Sequence, residues 1–82
     1  MDITPAQCRA ARALLDWSQD RLEMAAKVAR KTIVDFERET RRPYDRTIAA
    51  IRGAFEAAGV EFIPANGGGA GVRLAQPPPA PD

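Results

Sequence analysis

Trp17-Ser18-Gln19-Asp20-Arg21-Leu22-Glu23-Met24-Ala25-Ala26-Lys27-Val28-Ala29-Arg30-Lys31-Thr32-Ile33-Val34-Asp35-Phe36-Glu37-Arg38 is the stretch whose reading decides the fold. Ser18 has a side-chain oxygen for the free N–H groups of a helix start, and Asp20 and Glu23 follow where a helix dipole favours carboxylates. These residues predict a short helix from Gln19 to Ala26, with Leu22, Ala25 and Ala26 facing inward. The pattern breaks around Lys27-Val28 and resumes over Arg30 to Arg38. There Ile33 and Phe36 face inward, and Arg30, Lys31, Val34 and Asp35 face outward. Helices this short have no stability in isolation, so both must dock on one core.

Upstream, Thr4-Pro5-Ala6-Gln7 combines an N-cap residue, a proline suited to the first helical position and a glutamine at the capping-box position. A first helix runs from there to about Leu15, burying Cys8, Ala11 and Leu15 with Leu14 beside them. Downstream, Pro43 makes Arg41-Arg42-Pro43-Tyr44 a loop. Asp45 reads as the N-cap of a fourth helix whose buried stripe is Ile48, Ile51, Phe55 and Ala58, and Gly59 ends it. The period then changes to that of a strand over Val60-Glu61-Phe62-Ile63, with Gly71-Val72-Arg73-Leu74 as its partner. Ala75 to Asp82 is a Pro-rich tail for which disorder is the default. The expected organisation is a helical domain over 1–59, a β-hairpin over 60–74 and a disordered tail over 75–82.

Composition narrows the chemistry. The 82 residues hold one cysteine, Cys8, and no histidine. An internal disulfide, a zinc site and the Ser-His-Asp or Cys-His constellations are therefore not expected. Gly67-Gly68-Gly69 opens no helix, so it is not a phosphate-cradling loop. No enzyme activity, metal or cofactor is expected. The chain opens on a helix signal rather than a signal peptide and holds no long apolar run, so a cytoplasmic location and no membrane partner are expected. Net charge is only +1, yet seven of the twelve basic residues fall between 27 and 46. That segment is basic, and the rest of the chain is acidic.

Two eight-residue helices separated by three residues match the plan of a helix-turn-helix DNA-binding domain. Trp17-Ser18-Gln19-Asp20-Arg21-Leu22, Val28, Thr32 to Arg38 and Arg42-Pro43 together resemble the phage-repressor-like (XRE, lambda-repressor) family of bacterial transcriptional regulators. The resemblance covers about 5–58 and implies an all-α domain of four to five helices, here with a small C-terminal hairpin. It implies a transcriptional regulator, most simply a repressor, binding double-stranded DNA as a homodimer on an inverted repeat in the bacterial cytoplasm, associated with the nucleoid. Helix 3 would enter the major groove, with Arg30, Lys31, Thr32 and Asp35 reading bases. Asp35 has the alternative of pairing with Lys31 or Arg38. Gln19, Lys27, Arg38, Arg41, Arg42 and Arg46 would contact phosphates; for Gln19 the alternative is a solvated helix start. Arg12 and Glu37 stand where the family places a structural ion pair.

Three positions depart from the family pattern. Lys27 and Glu39 stand where glycine is usual, and Ala29 where Ser or Thr caps helix 3. The second half of the chain also resembles small regulators of alpha-proteobacterial mobile elements, a group that includes antiactivators that sequester a transcription activator. Such an activator would be held through the helical domain or the hairpin edge, where Val60, Phe62 and Ile63 are a candidate edge for dimer or partner pairing. The alternative is a hairpin that only caps the helical core.

Overall fold

A computed structural model describes residues 2–75. The Pro-rich tail expected over 75–82 lies outside the described residues except for Ala75. The elements are α1 (Pro5–Leu15), α2 (Gln19–Ala26), α3 (Arg30–Glu37), α4 (Asp45–Ala57), β1 (Val60–Ile63) and β2 (Gly71–Leu74). The described chain is thus mostly helical, with a C-terminal antiparallel hairpin. Its helices number four, because Gly59, at φ 99°, turns the chain out of α4 and directly into β1.

The capping box of α1 is complete: Thr4 Oγ1 accepts the Gln7 N–H at 3.0 Å, and Gln7 Oε1 accepts the Thr4 N–H at 2.9 Å. Gln7 does more than cap. Its Nε2 also donates to the carbonyls of Ile63 (3.2 Å) and Gly71 (2.9 Å), the pair at the loop end of the hairpin. One buried amide thus joins the start of α1 to both strands. Ser18 caps α2 by accepting the Arg21 N–H at 3.0 Å. The start of α4 differs from expectation. Tyr44 is its N-cap, and Asp45 is the first helical residue, its carboxylate turned to Arg42 at 3.3 Å.

The core joins Cys8 and Ala11 of α1, Leu22 of α2, Ile33 and Phe36 of α3, and Ile48, Ile51 and Phe55 of α4. Trp17 stacks on Phe55 with ring centroids 5.8 Å apart, and Phe62 meets Phe55 edge-on at 6.0 Å. Ile3, upstream of the first helix, is fully buried beside them. Three expected core positions are exposed. Leu14 is 42% exposed and Ala25 is exposed, because the stripe each helix turns inward is narrower than its run of apolar residues, and Ala58 is exposed as the residue that follows the end of α4.

The hairpin packs on α1 and α4. Val60 and Phe62 point into the core, while Glu61 pairs across the outer face with Arg73 at 2.6 Å. Both of these side chains are buried against the protein's own helices, so only the main chain of β1 is left for pairing with a partner. Ile63 is half-buried.

Lys27 (φ 57°) and Glu39 (φ 61°) are left-handed, so the backbone at these two positions has the conformation that suits glycine. A Cβ crowds the following carbonyl in this region. Lys27→Gly and Glu39→Gly are each expected to stabilise the domain by roughly 0.5–1 kcal/mol. Thermal unfolding followed by far-UV circular dichroism should show an upward shift of several degrees for each. A downward shift would mean that side-chain contacts at these positions outweigh backbone relief.

Candidate functional site

Glu37, at the end of α3, is the centre of a buried polar cluster. Its carboxylate accepts from Arg12 Nε and Nη2, both at 2.7 Å, from Gln19 Nε2 at 3.0 Å and from the Cys8 thiol at 3.2 Å. Arg12 Nη1 donates to the Trp17 carbonyl at 3.1 Å, and Arg9 Nη1 to the Glu37 carbonyl. Side chains from α1 and the start of α2 therefore converge on one residue of α3. Burial works against ionisation of Glu37, but the hydrogen bonds from Arg12, Gln19 and Cys8 outweigh it and hold the carboxyl below its usual range. Burial, together with the adjacent Glu37 carboxylate, pushes the Cys8 thiol up, so it stays protonated and acts as a donor.

On the other side of α3 lies a groove of about 450 Å³. Its walls are the turn Lys27 to Ala29, the face of α3 that carries Lys31, Thr32 and Asp35, the loop Arg41 to Tyr44, and Thr47 of α4. The loop folds back because the Asp35 carbonyl accepts the N–H groups of Thr40 (2.9 Å) and Arg41 (3.5 Å). Lys27, Lys31, Arg41 and Arg42 thus line one concavity, with Asp35 as its single carboxylate. Arg42 is also paired with Asp2 at 2.6 Å and Asp45 at 3.3 Å, both at the surface. A surface of this kind suits a polyanion, with hydroxyls and one acceptor available for discrimination.

Other residues picked out from the sequence are placed elsewhere. Gln19 donates into the Glu37 cluster, so part of its hydrogen-bonding capacity is used inside the protein. Arg30 lies outside the groove: its guanidinium pairs with Asp20 at 3.1 Å. Arg38 and Arg46 are exposed and do not line the groove. Arg46 lies over the ring of Tyr44, 5.7 Å from its centroid.

Glu23 has a role at the start of α3 that the sequence did not point to. Ala29 has no side chain able to cap α3, and Glu23 Oε2 accepts the Arg30 N–H at 2.7 Å in its place. The only signal in the sequence is the missing cap itself, which says that an acceptor is needed but not which one. Tyr44 and Thr47 also line the groove, and only the loop's return over α3 brings them there.

No group of three or more His, Cys, Asp or Glu side chains is placed to hold a metal ion among the described residues, and no helix there is long and apolar enough to cross a membrane. Comparison with known proteins finds no matching family model and no matching curated protein.

Proposed function

We propose that this chain is a sequence-specific DNA-binding transcriptional regulator, with α2 and α3 as a helix-turn-helix and α3 as the element that enters the major groove. The observation that carries this reading is the groove, where four cations share one surface with Thr32 and Asp35. Lys31 reaches guanine O6 and N7, Thr32 meets a thymine methyl or a phosphate, and Asp35 accepts from cytosine N4. Lys27, Arg41 and Arg42 hold phosphates, as do Arg38 and Arg46 outside the groove. Gln19 keeps one amide N–H for a phosphate at the start of α2 while the other is held by Glu37. Arg30 joins the base-reading set once its guanidinium leaves Asp20. A homodimer on an inverted repeat, with half-sites about 34 Å apart, is the corresponding assembly, and repression follows where such a site overlaps a promoter.

Capture of an activator protein through the hairpin has to use the main-chain edge of β1, since the Val60 and Phe62 side chains are committed to the core.

The test is a comparison of wild type with Lys31→Ala on a duplex selected from a random pool and on single-base variants of it. Discrimination at one base pair should fall by roughly 5- to 100-fold in the variant. Equal discrimination by the two proteins would remove Lys31 from the base-reading set.

A further inference from the structure

Arg30 opens α3, but its guanidinium points away from the groove. Its Nε lies 3.1 Å from Asp20 Oδ1, and its backbone N–H donates to Glu23 Oε2 at 2.7 Å. Asp20 and Glu23 stand three residues apart on α2, so both carboxylates share the face turned to the start of α3. They hold Arg30 in different ways. Glu23 takes a main-chain N–H and supplies the cap that Ala29 lacks, whereas Asp20 takes only the side chain. The Arg30 side chain can therefore swing without loosening the helix. The Arg30 and Asp20 side chains are 57% and 76% exposed, and a pair so exposed exchanges partners readily.

We propose that Asp20 is an internal competitor of DNA for Arg30, holding the guanidinium beside α2 in the free protein and yielding it when α3 docks on a duplex. The inference rests on the DNA-binding reading of the groove. A carboxylate, a phosphate and the O6/N7 edge of guanine all offer acceptors to the same guanidinium fork, so Arg30 serves one of them at a time. A duplex that presents a better acceptor at this position takes Arg30 from Asp20. One that does not leaves the pair closed, with the Asp20 charge still compensated by Arg30. Asp20 thereby lowers affinity for the duplexes that take Arg30, by the worth of the pair they break, and sets how good an acceptor a duplex must present at this position without itself touching a base.

The test is a double-mutant cycle of Asp20→Asn and Arg30→Ala, read by fluorescence anisotropy on a labelled duplex of about 20 bp at low salt. Asp20→Asn should raise affinity about two- to fivefold in wild type, and this gain should vanish in the Arg30→Ala background. An equal gain in both backgrounds would show a general charge effect and overturn the proposal. So would unchanged affinity in Asp20→Asn while wild type binds. Absence of duplex binding by every protein, wild type included, would instead remove the DNA-binding reading and the proposal with it. The free protein gives an independent readout: the Arg30 Nε–H resonance should move in Asp20→Asn. A resonance that stays in place would show that the pair is not formed in solution, again overturning the proposal.

Discussion

Glu37→Ala is expected to cost the domain about 3–5 kcal/mol, a large share of the stability that a chain of this size has to lose. The reason is the asymmetry of a buried charge cluster. Glu37 is 4% exposed and receives Arg12 in a two-pronged contact together with Gln19 and the Cys8 thiol. Removing the carboxylate strands the buried Cys8 thiol and takes the shared acceptor from the half-buried Arg12 and Gln19. Arg12, whose side chain is 21% exposed, keeps only the Trp17 carbonyl. Urea unfolding should show the loss as a lower midpoint with an unchanged slope. A loss below about 1 kcal/mol would mean that the cluster is solvated and contributes as a surface pair does. The same cluster sets a pH dependence. The Glu37 carboxyl is held below its unfolded value of about 4.3, so its stabilisation is complete above that pH and is lost as pH falls through the folded value. Glu37→Gln, which carries no titrating group, should remove this part of the acid limb.

The second large effect is on binding. Lys27→Gly, Lys31→Ala, Arg41→Ala and Arg42→Ala in one chain should reduce affinity for duplex DNA at low salt by about 10²- to 10³-fold. The dependence of log K on log salt should become shallower by about 3–4. These four cations line the groove, and none supports the core. Glycine at position 27 suits its left-handed backbone, and the Arg42 pairs that are lost are exposed. Folding should therefore survive, as circular dichroism would show. An unchanged salt slope in a folded variant would place the anion-binding surface elsewhere.

Much of the framework was legible because it is local. Thr4-Pro5-Ala6-Gln7 and Ser18 announce helix starts by chemistry confined to one turn, and Ile33, Phe36, Ile48, Ile51 and Phe55 fall at helical spacing. What escaped the sequence depends on contacts between distant residues. Gln7 reads as a cap, yet its other bonds reach residues 56 and 64 positions away. Glu23 reads as a carboxylate near the start of α2, and only the approach of α3 makes it the cap of another helix. Arg30 reads as a groove cation until Asp20 is seen beside it. Val60 and Phe62 alternate as any half-buried strand does, and the side of the hairpin that faces protein is set by where α1 and α4 lie. The candidate site was thus half legible. Residue types and the basic segment were visible, but which cations share a surface was decided by the loop that returns over Asp35.

The most direct measurement is a two-dimensional NMR titration of the isotope-labelled chain with a duplex of about 20 bp at low salt, following every backbone amide. Salt-sensitive shifts clustered at Lys27 to Asp35 and Arg41 to Thr47, with the hairpin amides of Val60 to Leu74 unmoved, are expected. A saturating duplex that leaves the groove amides in place, or that moves only the hairpin, would contradict DNA binding by this surface.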